Sequence, residues 1–152
     1  MLQAQGELAV ARPLFERALA IYEKTLGPEH PNTATSLNNL AMNLREQGDL
    51  AAARPLFERA LAIHEKALGP EHPNTNRVRC NLARLLITSG HAREALGSAE
   101  TALRAHEKAL GPNHRWTKDS ARVTADALDV LGRSAEAATL REKFGIVRAD
   151  KN

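Results

Sequence analysis

The sequence has few aromatic residues, a single cysteine and no long apolar run. Aromatic residues make up 3% of the 152 positions. The lone Cys80 excludes an internal disulfide bond and any zinc site built from several cysteines. No stretch approaches the roughly 18 apolar residues of a membrane span, and the first residues lack the basic start and apolar run of a signal peptide. We therefore expect a cytoplasmic protein with no membrane partner.

The chain also has no large excess of positive or negative charge. The net charge is +3 and the pI is about 9.4, but lysine and arginine alternate with glutamate along the chain instead of clustering. This arrangement does not favour nucleic-acid binding. A hydrophobic content of 43% with 26% charged residues is typical of a globular protein, and the length suits one domain with a substantial core.

The strongest feature that is present is an internal repeat. Gly6, Gly48, Gly90 and Gly132 are each 42 residues apart. Residues 6–47 and 48–89 agree at 28 of 42 positions, and 90–131 agrees with 48–89 at 16 of 42. Self-similarity at a period of 20–50 residues indicates a stacked array of small structural units.

Each unit reads as two helices. In the second helix, Ala53, Phe57, Ala60 and Leu61 recur at spacings of three and four residues, which places them on one helical face. Asp49 is a candidate N-cap for that helix. Pro55, like Pro13 one unit earlier, falls inside it and cannot donate a hydrogen bond to the carbonyl four residues back. We predict a bend or a loosened turn there.

The segment LGPEHPNT at 26–33 and 68–75, written LGPNHRWT at 110–117, joins consecutive units. Glycine suits the left-handed position after a helix, proline suits the start of the next, and His30 or Asn32 stands near the cap. His30, His72 and His114 occur once per connector. The stacking of repeats holds them apart, whereas metal ligands must converge within about 2.1 Å of one ion, so we expect no metal site.

Catalytic motifs are missing from the sequence. It contains no G-x-S-x-G nucleophile elbow, no phosphate-binding loop and no dinucleotide-binding glycine pattern. Cys80 lies near Arg79 and Arg84, which would favour its thiolate, but no partner base accompanies it. His64 and His106 occupy the packed helix face at the position of Tyr22, as structural residues do. We expect no catalytic residues, no cofactor and no enzymatic activity.

These patterns resemble the tetratricopeptide repeat. The resemblance is carried by Leu40-Ala41-x2-Leu44, Gly48-Asp49 and Ala53-x3-Phe57-x2-Ala60, and the 42-residue period is similar to the long repeats of kinesin light chains and of many bacterial proteins. It implies an all-α, right-handed superhelical solenoid of antiparallel helix pairs. The array covers 1–145, with a partial unit at 1–31, full units at 32–73 and 74–115, a shortened last unit at 116–145 and a polar tail at 146–152.

The resemblance also implies a concave groove, lined by the first helix of each pair, that binds a peptide or a partner helix. The positions that match this groove are Thr35, Asn38, Asn39, Met42, Arg45, Arg77, Asn81, Arg84, Asp119, Arg122 and Asp126. Arginine at 77–93 followed by aspartate at 119–129 favours a ligand of mixed charge. Trp116 is either an interface hot spot or a packing residue over the helix start.

Met1–Gly6 aligns in frame with Asn43–Gly48, so the chain is expected to open on the last turn of a first helix, with the next helix at about 7–26. The apolar face of that helix, which includes Leu14 and Tyr22, would then lack a covering partner, and a homodimer through this face is one expectation. The main functional expectation is a protein-interaction scaffold. The alternatives are a self-assembling repeat module and a sensor or scaffold fragment of a larger signalling ATPase.

Overall fold

The computed structural model describes residues 2–148, and the side chains of 4–148. This part of the chain contains seven α-helices and no strand, which confirms the all-α fold class. No helix in it combines the length and the apolar character that crossing a membrane requires. The helices are α1 (Leu2–Leu26), α2 (Pro31–Glu46), α3 (Leu50–Leu68), α4 (Pro73–Thr88), α5 (Ala92–Leu110), α6 (Arg115–Val130) and α7 (Ser134–Phe144).

The helices form two compact units, Met1–Pro70 and Glu71–Asn152. In the first unit, α2 packs against both α1 and α3. In the second, α5 packs against α4 and α6, α4 also contacts α6, and α7 packs against α6. The boundary falls inside the second connector, and the finer division into units at 32, 74 and 116 stays a prediction.

Tight turns join the two helices of each pair at the repeated glycines. At the first turn Gly48 has a φ of 87°, a conformation that costs other residues more. The N–H groups of Gly48 and Asp49 donate to the carbonyls of Arg45 and Leu44, both at 2.9 Å, in the two-bond pattern of a Schellman cap. The Asp49 carboxylate accepts from the Ala52 N–H at 3.2 Å, so its predicted capping role is confirmed.

The same turn is absent at Gly6, and the predicted helix break there is wrong. α1 runs without interruption from Leu2 to Leu26, and Gly6 is not among the glycines with positive φ. Glycine permits a turn without requiring one, and a continuous α1 pairs the backbone groups around Gly6 within the helix. Helices α1 and α3 also continue through Pro13 and Pro55.

The core consists mainly of alanine and leucine. Ala34, Ala41, Ala53 and Ala60 are all fully buried, which lets neighbouring helix backbones approach closely. Phe57 is the largest fully buried side chain. Phe15, at the same position one repeat earlier, is only half-buried, because α2 is the only described helix that packs against α1.

Helix α7 ends in the predicted left-handed cap. Gly145 has φ 63° and ψ 40°, and the Ile146 N–H donates to the Arg141 carbonyl at 2.8 Å. Ile146 is 8% exposed and joins a cluster with Leu103 and Phe144, since a hydrophobic residue after such a cap commonly folds back onto the helix. The polar tail therefore does not begin at 146, and its residues 149–152 lie outside the described part.

Candidate functional site

The connector histidines are helix N-caps. The Nδ1 atoms of His30, His72 and His114 accept hydrogen bonds from the backbone N–H two residues later, each at 3.1 Å. Each histidine has an extended backbone conformation and precedes the first residue of α2, α4 or α6. Of the two residues the sequence left open for this role, histidine fills it, because its ring nitrogen satisfies one of the free N–H groups of the first turn.

Each connector ends on a buried threonine, and in the first and third connectors its hydroxyl forms a hydrogen bond that the sequence reasoning missed. Thr33 and Thr117 donate from Oγ1 to the carbonyls of Gly27 and Gly111 at 2.8 Å, and Thr75 at the equivalent place is also fully buried. This bond ties the third residue of one helix to the end of the preceding helix. Threonine persists in all three connectors, and that persistence is the signal that identifies it.

The described residues contain no group of three histidine, cysteine, aspartate or glutamate side chains that could hold a metal ion. Cys80 is 3% exposed, which places its thiol out of reach of a substrate.

One histidine–serine pair is buried in the second unit. The Nε2 of His106 lies 3.0 Å from the Pro73 carbonyl and its Nδ1 lies 2.7 Å from the Ser120 hydroxyl. Because a carbonyl only accepts, Nε2 carries the hydrogen and Ser120 donates to Nδ1. Ser120 is fully buried and His106 is 1% exposed, so the pair joins α4, α5 and α6 and is not positioned for nucleophilic catalysis.

Burial lowers the pKa of His106 below its ordinary value of 6.5, despite its hydrogen bond to Pro73. Below pH 6.5 the unfolded chain therefore binds a proton that the folded chain does not, and the free energy of unfolding falls as the pH falls. We expect a slope of at most about 1.4 kcal/mol per pH unit from this group. Urea unfolding between pH 7.5 and 5.5 measures it. His106→Gln should flatten the slope and the exposed His91→Gln should retain it; equal slopes in both variants would contradict this account.

The predicted groove residues of the first unit lie along α2. Thr35 and Asn39 are exposed, while Asn38, Met42 and Arg45 are half-buried. Thr35 donates to the Pro31 carbonyl of its own helix at 3.2 Å, and the Asn38 amide lies 3.6 Å from the Met42 sulfur. Asn39 and Met42 remain turned towards a cleft.

This cleft, which we call the α1–α2 cleft, is open and has a volume of about 640 Å³. Its walls are formed by Leu8, Ala11 and Phe15 of α1 and by Asn39 and Met42 of α2, with carboxylates at Glu7 and Glu46. No lysine or arginine is among the described residues that line it. The cleft therefore offers an apolar surface beside two negative charges.

A second contact missed from the sequence holds the two walls together. The side-chain amides of Asn43 and Gln47 both donate to the Leu8 carbonyl, at 3.1 and 2.9 Å, and Gln47 also donates to the Asn43 side chain at 3.0 Å. Asn43 is 4% exposed, and the residue at the same position one repeat later is the apolar Leu85. A buried polar residue needs a hydrogen-bond partner, so the asparagine at this position was the signal in the sequence for this contact.

In the second unit the predicted groove residues bind one another. Arg84 of α4 forms an ion pair with Asp119 of α6 at 2.5 Å, donates to Asn81 at 3.2 Å, and shares Asp119 with Arg122. Asp126 pairs with Arg141 of α7 at 2.9 Å. Arg84, Asp119 and Asp126 thus already lie beside opposite charges of the same unit, and the mixed-charge ligand stays a prediction.

Trp116 packs against three side chains of the second unit. The Arg77 guanidinium lies 4.5 Å from its ring centroid, and the rings of His114 and His106 lie at 5.5 and 6.1 Å. Such stacking of arginine on tryptophan is a favourable cation–π contact. The ring is half-buried, which supports the packing role; the hot-spot role stays a prediction.

Comparisons with known proteins agree with this architecture. A family model described as "Tetratricopeptide repeat" matches residues 1–66 and 37–108. A kinesin-light-chain-type protein of nearly identical tetratricopeptide-like repeats from Podosopora anserina is 30% identical, with a TM-score of 0.83 over 97% of this chain and 72% of that one. A single-substitution crystal structure of such a protein is 32% identical, with a TM-score of 0.84 over 93% and 67%.

A third solved structure, BtubC (BKLC) from P. vanneervenii, has a TM-score of 0.78 over 97% of this chain and 61% of that one. At 19% identity it shows the fold alone. Among curated proteins none matches. The repeated helix pairs, the capped connectors and the matched family model together show that the chain belongs to the tetratricopeptide repeat family, in its kinesin-light-chain-like form.

Proposed function

We propose that this chain is a cytoplasmic, non-enzymatic protein-interaction module that binds a peptide or partner helix in the α1–α2 cleft. Tetratricopeptide repeats generally mediate protein–protein interaction. The observation that supports this particular surface is the combination of an apolar wall, Leu8, Ala11 and Phe15, with the exposed amide of Asn39 and the flexible side chain of Met42. Methionine adapts readily to different apolar ligands.

The charge of the cleft indicates the chemistry of the partner. Glu7 and Glu46 line it, and the described lining residues include no lysine or arginine, so the ligand should carry apolar side chains flanked by lysine or arginine. Opposite charges of this kind mainly steer the encounter and select between ligands. The affinity would come from the apolar contacts.

A random peptide library displayed on phage and panned against the immobilised full chain tests this proposal. We expect enrichment of peptides with apolar residues flanked by basic ones. Met42→Glu should reduce binding of the enriched peptides by about tenfold or more, because it places a charge against the apolar ligand. Glu46→Lys should shift the enriched charge from basic to acidic.

The matched control is Val130→Glu, which places the same charge at an apolar side chain that is 61% exposed on α6 and lies outside the cleft. It should bind the selected peptides as the unmodified chain does. No enrichment, or enrichment that survives both Met42→Glu and Glu46→Lys, would reject the α1–α2 cleft as the binding surface.

A second candidate function, self-assembly, is supported by the outer face of α1. Val10, Leu14 and Ile21 are 70%, 65% and 50% exposed, an unusual concentration of apolar surface on one helix. The predicted homodimer would cover them. A role as the sensor or scaffold segment of a larger signalling ATPase is compatible with either kind of binding and has no separate structural support.

A further inference from the structure

Six exposed side chains of α1 lie in one continuous row. We define the α1 seam as Glu7, Val10, Leu14, Arg17, Ile21 and Lys24. The spacings between successive members alternate between three and four residues, which keeps the row on one side of a helix and is the pattern of helices that pair along their length. All six side chains are exposed. The row has Glu7 at one end and Lys24 at the other, and between them lie three apolar residues and Arg17.

Later repeats show what normally covers this side of the helix. His64 and His106, which occupy the position of Tyr22, lie with Nε2 at 3.3 and 3.0 Å from the carbonyls of Pro31 and Pro73. In both cases the contact is with the first residue of the preceding helix. Ile63, which corresponds to Ile21, is only 3% exposed. The same face of α1 is therefore built like a helix-packing surface.

The composition of α1 differs from the later repeats at this surface. Tyr22 replaces the histidine that bonds to the preceding helix, and it is 38% exposed. Val10, 70% exposed, stands where the later repeats have Ala52 and Glu94. Val10 and Tyr22 together give this side of α1 more exposed apolar and aromatic surface than the equivalent residues of α3 and α5 provide.

We propose that the partner is a second copy of this chain, with the two α1 seams packed antiparallel about a two-fold axis between Leu14 and Arg17. This proposal rests on the self-assembly candidate above. In this register, Val10 of one copy faces Ile21 of the other and Leu14 lies against the methylene stem of Arg17, whose charge reaches solvent. A two-fold axis repeats each contact twice.

The charges at the ends of the seam select this orientation. Glu7 and Lys24 are the same distance from the proposed axis, so antiparallel packing places each beside the opposite charge of the partner copy. Parallel packing would align Glu7 with Glu7 and Lys24 with Lys24, which is unfavourable. The seam is thus self-complementary only in the antiparallel arrangement.

Sedimentation equilibrium on charge-swapped chains tests the register. The unmodified chain should dimerise at micromolar concentration. Glu7→Lys alone and Lys24→Glu alone should each weaken the dimer by about tenfold, since each variant repels itself at both ends. An equimolar mixture of the two variants, or the double variant in one chain, should restore the original dissociation constant, because opposite charges meet again.

Two further variants separate the seam from nonspecific effects. Leu14→Glu should weaken the dimer by about 100-fold or more, because the two-fold axis places the substituted residue at two contacts in each dimer. Val130→Glu should not change the dissociation constant. Lys66→Glu, the exposed equivalent of Lys24 on α3, should also have no effect. Circular dichroism should show equal helix content in all of them.

Two outcomes would overturn the proposal. If the chain dimerises but neither the charge swaps nor Leu14→Glu changes the dissociation constant, the antiparallel α1 seam is refuted. Self-assembly through another surface would then still be possible. A monomer at high micromolar concentration refutes both the seam and the self-assembly candidate, and it leaves the peptide-binding proposal for the α1–α2 cleft unaffected.

Discussion

Phe57→Ala is expected to lower the free energy of unfolding by about 3–5 kcal/mol, the usual cost of truncating a fully buried phenylalanine. Phe57 has no exposed surface and is the largest side chain of the alanine-rich core of the first unit. Small neighbours such as Ala53 and Ala60 offer little volume to refill the cavity. Urea unfolding followed by circular dichroism measures the loss.

The chain supplies a matched control for this substitution. Phe15 occupies the same position one repeat earlier, within the identical run ARPLFERALAI, but it is half-buried. Phe15→Ala should therefore cost about 1–2 kcal/mol, since less apolar surface returns to water. Equal losses in the two variants would show that α1 is packed as completely as α3 and would contradict the exposed α1 face.

Arg141→Met is expected to cost about 2–3 kcal/mol, because it removes the closer cation from the largely buried Asp129 carboxylate and leaves only Arg148, 4.0 Å away. Arg141 of α7 donates to Asp129 at 2.7 Å and to Asp126 at 2.9 Å, and its side chain is 9% exposed. The hydrogen bond from Arg141 lowers the pKa of Asp129 below its ordinary value of 3.8. This stabilisation is present above that value and is lost as the pH falls through the lowered pKa.

Two variants distinguish the buried pair from a surface contact. Asp129→Asn in the Arg141→Met background should recover part of the loss, because it removes the unpaired charge. Arg133, the residue before α7, forms an ion pair with Glu136 of α7, and the two side chains are 46% and 56% exposed. Arg133→Met breaks this exposed pair and should leave the free energy of unfolding unchanged. An Arg141→Met chain as stable as the original would show that this pair does not hold α7.

The repeat made most of the fold predictable. Glycines at a constant spacing of 42 residues located the helix turns, and the caps at Asp49, His30 and Gly145 follow from backbone rules that operate over a few residues. The predicted break at Gly6 was wrong because a glycine permits a turn without requiring one.

Contacts between distant residues were harder to predict. The Asn43 and Gln47 bonds to the Leu8 carbonyl and the Ser120 bond to His106 join residues separated by 14 to 39 positions, and apart from the polar residue at position 43 no local pattern indicates them. The predicted groove residues lie on α2, α4 and α6, but the ion pairs between them were not predicted. Arg84 and Asp119 look like separate ligand-binding charges in the sequence and neutralise each other in the structure.

The most direct test of the proposed function observes Met42 while a ligand binds. Methionine occurs only at positions 1 and 42, so labelling the methionine methyl groups with carbon-13 gives two methyl resonances, and Met42→Leu identifies the one from the α1–α2 cleft. Titration with a peptide selected from the library should shift the Met42 resonance saturably, with the dissociation constant found by calorimetry. A saturated peptide complex in which the Met42 resonance does not move would contradict binding in the cleft.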